Sequence, residues 1–432
     1  MAFEALFQPI QVGKVKLKNR YICSPLNFIF NDWCGFMNDT ELFFWLARAM
    51  GGVAAVDFGA VLTTELGRKM APHPWIHMTG LEHVPGLAFF TESIHLAGAK
   101  AIIQVLPSAS ARSHTRSGLQ GIAPTGGIIY PWVTIPSKKM LEVIKKGLMG
   151  VEYSKAARKY TAPRAVSKEE IKTMIMETAR NCKLAVLAGF DGVEIHACHH
   201  YLVDMFRDPR FNKRTDEYGG SADNRNRFAL ELTEAVIKSV KEERPDMAVG
   251  IRIGCDTVAA HPWPDERGYT LEETKVFAKQ LEELGIDFCH ITTGIPHPYA
   301  LSGPKDPDGQ YLNWARKLKK VLEVPLITTS VHDPKLAEQA VAEGITDIIS
   351  LGRPLIADPD FVNKVKEGRI KDIRKCNKDN ACWLNFEFGL PGRCTVNPEV
   401  GRERFNPKYH QLQGFRGKKM YPYVLRERGK GV

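Results

Sequence analysis

The sequence predicts an α/β fold closed into a (β/α)8 barrel. Eight short apolar, β-branched runs recur along the chain, and unbroken runs of this kind suit strands buried on both faces of a parallel sheet. Amphipathic stretches separate several of them, as crossover helices must. The 432 residues are 44% hydrophobic and 25% charged, an ordinary globular composition, and long enough for a barrel of about 250 residues with additions. A doubly wound open sheet would show the same alternation; eight runs followed by a distinct tail favour closure.

The runs are 20–26, 53–61, 100–106, 190–197, 247–253, 286–293, 324–330 and 345–352, and 167–188, 271–284 and 334–343 read as crossover helices. Two stretches break the rhythm. Residues 108–164 are basic and rich in Gly, Pro and Ser; falling between the third and fourth strands, they are expected as an insert over the C-terminal mouth of the barrel, a lid or substrate-binding segment. Residues 370–432 carry clustered cysteines and a basic tail, and are expected as an extension packed on a barrel that occupies 1–369.

Composition narrows the function. Lys and Arg number 59 against 49 Asp and Glu, a net +10, which reads as a solvated basic face or as attraction for an anionic ligand. No nucleic-acid recognition motif accompanies the charge. The N-terminus has no basic stretch leading into an apolar core, and nowhere do about 18 apolar residues run together, so neither a signal peptide nor a membrane span is expected. Nine cysteines in this length are too dilute for a disulfide scaffold, and a reduced cytoplasmic setting is expected.

Catalytic groups in a closed parallel barrel sit at the C-terminal ends of the strands. The fourth run ends in VEIHACHHYLVDMF, which places His196, His199 and Tyr201 at the mouth. Two imidazoles and a phenol within six residues would each need a partner if buried without function. Cys198, inside the same motif, is expected to alternate away from the pocket, and Cys23, Cys34, Cys182, Cys255 and Cys289 to serve mostly as small packing residues.

The stretch GFDGVEIHACHHYLVDMFRDPRFNKRTDEYGGSADNRNR (189–227), with LFQPIQVGKVKLKNRYICSPL (6–26) and DIISLGRPLIADPDFVNK (347–364), resembles the old yellow enzyme family of flavin oxidoreductases over about residues 5–400. The resemblance implies FMN across the barrel mouth. Ser24, Pro25, Leu26 and Asn27 match the family's flavin-lining segment, Ala60 and Gln104 the strand ends at the flavin edge, and Arg252 the cation beside N1 and O2, which offsets the charge of reduction. Gly352 and Arg353 match the phosphate site, with Thr329 and Ser330 where the family usually has glycine. His196 and His199 match the pair that binds a substrate carbonyl oxygen, and Tyr201 the proton donor to the α-carbon. His200 replaces the usual glycine, which could crowd or re-aim Tyr201, and Asn27 stands where relatives often carry Cys or Thr.

The implied activity is ene-reduction of an α,β-unsaturated carbonyl or enoyl thioester, with an enone or acyl-CoA as substrate. Family members that dehydrogenate amines carry Tyr at the His196 position. An oxidative amine or demethylating dehydrogenase and a catalytically silent electron-transfer subunit are the alternatives. The spacing Cys376-x5-Cys382-x11-Cys394 resembles the [4Fe–4S] segment of larger members of the 2,4-dienoyl-CoA reductase and trimethylamine dehydrogenase type, with Asp379 in place of a fourth Cys. A carboxylate is an acceptable ligand for one iron, so an iron–sulfur cluster at Cys376, Asp379, Cys382 and Cys394, a degenerate site without a cluster, and zinc are all open. The sequence carries no GxGxxG turn of a dinucleotide-binding domain, so the reductant is expected to be NAD(P)H entering the same pocket or a separate electron-transfer subunit, and the chain a homo-oligomer or part of a larger complex.

Overall fold

A computed structural model of the chain describes residues 3–71, 74–108, 120–127, 163–258, 268–293, 307–382, 385 and 390–410. An antiparallel hairpin of β1 (Ile10–Val12) and β2 (Val15–Leu17) opens the chain. Each of the eight apolar runs then contains one barrel strand: β3 (Tyr21–Cys23), β4 (Ala55–Leu62), β5 (Lys100–Leu106), β8 (Gly192–Ala197), β9 (Ala248–Gly254), β10 (Phe288–Thr292), β11 (Leu326–Thr329) and β12 (Ile348–Leu351). All pair in parallel and in chain order, and β12 closes on β3, giving the expected (β/α)8 barrel. Within the 108–164 stretch, 109–119 and 128–162 lie outside the described residues; what is described includes a short parallel pair, β6 (Ile122–Ala123) with β7 (Arg164–Ala165).

The crossover helices begin where the sequence supplies caps. Ser167 and Glu170 form a capping box on α4 (Lys168–Leu187), as do Thr270 and Glu273 on α7 (Leu271–Glu283), after α1 (Asp39–Met50), α2 (Glu65–Lys69), α3 (Val84–Leu96), α5 (Leu202–Arg207) and α6 (Ala222–Glu243). Asp333 caps α9 (Pro334–Ala342), which follows α8 (Leu312–Leu318). Two short helices, α10 (Arg353–Ala357) and α11 (Phe361–Lys366), follow the last strand.

Packing separates the two ends of the barrel. The hairpin side chains Val12, Val15 and Leu17 plug the N-terminal end against Ile22, Ile102, Phe288 and Ile348. Gly250 makes room there, since a Cβ on it would lie 2.5 Å from the Phe288 ring. Beyond the barrel, Glu403 reaches α1 in a fully buried ion pair with Arg48, 2.7 Å long. Arg48 also lies 3.5 Å over the Phe44 ring. The C-terminal end of the barrel is thereby left as the face on which polar groups collect.

Asp191, at the head of β8, accepts from His95 (2.6 Å), Lys100 (2.8 Å) and the Ala101 N–H (2.9 Å), which fixes the start of β5 against β8. Burial alone would raise its carboxyl, but His95 and Lys100 outweigh burial and hold it at about 2. A folded pKa below the unfolded one contributes stability above pH 4 that is lost as pH falls through 2. Asp191→Asn is therefore expected to cost about 2 kcal/mol at pH 7. In thermal melts, its deficit against the native chain should shrink between about pH 4 and pH 2; a deficit constant over that range would exclude the charge as its cause.

Candidate active site

The strand ends bring the sequence-predicted residues to one mouth. In the β8–β9 register His196 stands beside Arg252, and in the β9–β10 register Arg252 stands beside His290. His196 is 4% exposed. After Ala197 the chain leaves the strand, and His199 and His200 both take left-handed backbone (φ 58° and 52°). That turn folds His199 back on His196: His199 Nδ1 lies 3.4 Å from His196 Nε2, and His199 Nε2 lies 3.3 Å from Thr292 Oγ1. Tyr201 stands edge-on to His196, ring centroids 4.9 Å apart, and edge-on to Trp75 at 5.9 Å. Its other neighbours form an apolar wall of Ile29, Leu62, Ala71 and Leu106, with Ala60 packed against it.

Two expectations change. Cys198 does not alternate away: the same turn that breaks the extended geometry leaves its sulfur buried and 3.5 Å from both His196 Nδ1 and His199 Nδ1. His200 does not crowd Tyr201. Its ring turns into a buried network, 3.1 Å from Asp208, which also pairs with Arg210, while its backbone N–H donates to Asp204. Tyr269 donates to the same Asp204 at 2.8 Å.

Beneath the histidines lies a cluster that the strand reading passed over. Glu194 accepts from Gln104 Nε2 (2.5 Å) and pairs with His290 Nδ1 (2.6 Å), and Asp57 lies 3.9 Å from the same His290 atom. All three ionisable groups are at most 1% exposed. Burial, with the neighbouring Glu194, pushes Asp57 well above the usual carboxylate range, whereas His290 and Arg252 overcome burial and hold Glu194 below it. The available signal was an Asp, a Glu and a His inside runs otherwise apolar enough to read as buried strand.

Whether this mouth suits a flavin can be tested on Arg252. The residue is 6% exposed, and its Nε is buried without a hydrogen-bond partner. A buried cation with an unused donor fits an anionic ring edge. Gly352 packs beside Leu26 and Ser24, so the segment after β3 and the turn after β12 adjoin. Ser330 takes φ 61°, a left-handed backbone that glycine adopts more readily than other residues. The Thr329 hydroxyl donates to the Ile291 carbonyl at 3.3 Å. Asn27 accepts from the Ile29 N–H through its side chain. Arg353 donates to Asn380, linking the last barrel turn to the cysteine segment.

In that segment the Cys376 sulfur accepts the Lys378 N–H at 3.4 Å, and Cys382 and Cys394 pack half-buried against the core. Asp379 accepts from Thr395 (2.5 Å), Asn377 (3.1 Å) and the Ala381 N–H (3.0 Å), which lower its pKa against the opposing effect of burial. Ligating carboxylates are themselves ordinarily hydrogen-bonded, so the donor set suits iron. No three of these four residues bring ligand atoms within 4.8 Å of one another. A single tetrahedral zinc holds its sulfur ligands about 3.8 Å apart, so these residues do not present a formed site for one zinc ion. Of the remaining cysteines, Cys23, Cys182, Cys255 and Cys289 are buried packing residues and Cys34 is exposed.

Comparison with known proteins agrees with the motifs. Residues 5–372 match the model of the NADH:flavin oxidoreductase / NADH oxidase family. The chain is 32% identical over 410 residues to an NADH oxidase of Thermoanaerobacter brockii, covering 93% of this chain and 57% of that one. It is likewise 32% identical over 419 residues to a cinnamate reductase of Clostridium sporogenes, covering 93% and 59%. The chain thus spans somewhat more than half the length of these relatives. Among solved structures, a 2-naphthoyl-CoA reductase in complex with 2-naphthoyl-CoA superposes with a TM-score of 0.78 at 28% identity, covering 94% of this chain and 58% of that one. No described helix is long and apolar enough to cross a membrane. Barrel, motifs and family match together establish that the chain belongs to the NADH:flavin oxidoreductase / NADH oxidase family.

Proposed function

We propose that the protein is an FMN-dependent ene-reductase that acts on a C=C bond conjugated to a carbonyl, in an enone or an enoyl thioester. The observation that carries this reading is the convergence of His196 Nε2 and His199 Nδ1, 3.4 Å apart, with Tyr201 beside them and Arg252 in register with His196. Two imidazoles that each present an N–H to one oxygen draw electron density out of the conjugated system and leave its β-carbon electrophilic. When bound, FMN supplies the hydride for that carbon. Tyr201, held between His196 and Trp75, gives its hydroxyl proton to the α-carbon. Ser24, Pro25, Leu26, Asn27, Ala60 and Gln104 would line the FMN ring, Arg252 would meet the anionic edge, and Thr329, Ser330, Gly352 and Arg353 would hold the phosphate. In the segment after the barrel, Cys376, Cys382, Cys394 and Asp379 would hold a [4Fe–4S] cluster, with NAD(P)H or a partner protein as electron donor. Cinnamate and 2-naphthoyl-CoA, in the names of two relatives, are both conjugated carbonyl compounds, which supports the substrate class.

The test is an anaerobic screen of photoreduced protein against enones, enoyl-CoA thioesters and amines. The expected result is a flavin released as FMN, about four irons per chain, and rapid reoxidation by conjugated carbonyl compounds alone. Oxidised protein bleached by an amine, with reduced protein inert to every enone and thioester, would reverse the assignment.

A further inference from the structure

The three side chains at the turn after β8 bring their ligand-type atoms within 4.8 Å of one another. The Cys198 sulfur is 3.5 Å from His199 Nδ1 and 4.0 Å from His196 Nε2, and those two nitrogens are 3.4 Å apart. Good hydrogen bonds to nitrogen donors run roughly 2.7–3.2 Å, so the imidazole–imidazole contact is long for one. It is right for two ligands of one ion, as is the Cys198–His199 distance: tetrahedral zinc, with bonds of about 2.3 Å to sulfur and 2.0–2.1 Å to nitrogen, sets its ligands roughly 3.4–3.6 Å apart, and only the Cys198–His196 distance has to close from 4.0 Å. His196, Cys198 and His199 are one of two sets of three such groups whose ligand atoms lie within 4.8 Å among the described residues. The other, Asp57, Glu194 and His290, is accounted for by the 2.6 Å His290–Glu194 hydrogen bond and by the charge of Arg252 facing it.

We propose that His196, Cys198 and His199 form a three-ligand site for a borderline or soft divalent cation of the zinc class, with its fourth position open toward the barrel mouth. Binding breaks the Cys198 S–H bond, releases that proton to solvent, and forms one metal–sulfur and two metal–nitrogen bonds with no change of oxidation state. In the structure His196 Nδ1 accepts the Cys198 N–H at 3.4 Å; the ion takes the lone pair of His196 Nε2 and so replaces that arrangement with the tautomer protonated on Nδ1. A carbonyl bound by Nε2–H needs the opposite tautomer. Cation and carbonyl substrate therefore exclude each other, a consequence that rests on the reductase reading, whereas cation binding itself does not.

Zinc titrated calorimetrically into the FMN-loaded, oxidised protein should fill one tight site that Cys198→Ala weakens by at least roughly 100-fold. Cobalt, as a coloured probe, should give a thiolate-to-metal charge-transfer band that Cys198→Ala lacks. Cys198→Ser, which keeps a hydrogen-bonding side chain of the same connectivity, should lack the band as well. Equal zinc affinity and stoichiometry in native and variant proteins, or cobalt spectra without a thiolate band in any of them, would overturn the site. Zinc binding without enone reduction would leave the site standing and remove the reductase reading instead.

Discussion

Replacing His196 and His199 together with alanine should lower kcat/KM toward an α,β-unsaturated ketone by roughly 10³-fold or more, while FMN content and the melting transition stay close to those of the native protein. The magnitude follows from what the imidazoles do: removing one donor aimed at a developing oxyanion ordinarily costs about 10²–10³, and here both donors to one oxygen go. The two losses should not simply add, because His196 and His199 touch each other at 3.4 Å and act on one atom. Folding is spared because the barrel is held by strand pairing and by the apolar core around it, while His196 and His199 face the mouth. The measurement is reoxidation of photoreduced protein by substrate in a stopped-flow instrument, which keeps the effect separate from reduction of the flavin. A loss of less than tenfold would mean that the carbonyl oxygen is bound elsewhere.

Tyr201→Phe should slow the same reoxidation by roughly 10²–10⁴, the ordinary contribution of one positioned proton donor, and leave flavin reduction nearly unchanged. The ring remains edge-on to Trp75 and His196 in the variant, so substrate affinity should hold and the loss should fall on kcat. A solvent deuterium effect present in the native protein should change in the variant as water takes over as donor. Equal slowing of both half-reactions would point to a packing defect and remove Tyr201 from the chemistry.

The barrel was legible because its strands are buried on both faces. Runs such as Lys100–Leu106 and Ala248–Gly254 are mostly apolar without alternation, as strands of a parallel sheet covered on both sides require. Helix ends were legible where the cap is chemical, at Ser167, Thr270 and Asp333. The His196–His199–Tyr201 group was legible from its place at a strand end. Its finer geometry was not: extended alternation turns Cys198 away, and nothing in the residue types announces that His199 and His200 adopt left-handed backbone and swing the sulfur against both imidazoles. The cluster of Asp57, Glu194 and His290 was hidden for a related reason. Each stands alone in its own run, and only closure of the barrel brings β4, β8 and β10 to one interior layer. The destination of His200 was likewise a matter of tertiary pairing, since Asp208 and Arg210 come back to it across the α5 turn.

The most direct test of the account is a crystal structure of the FMN-loaded protein with a bound enone. The isoalloxazine should span the C-terminal mouth with Arg252 within about 3.2 Å of its N1–O2 edge, and the substrate carbonyl oxygen should lie between His196 and His199 with the Tyr201 hydroxyl facing the α-carbon. A mouth filled by side chains, a flavin bound away from Arg252, or a carbonyl held by other groups would contradict it.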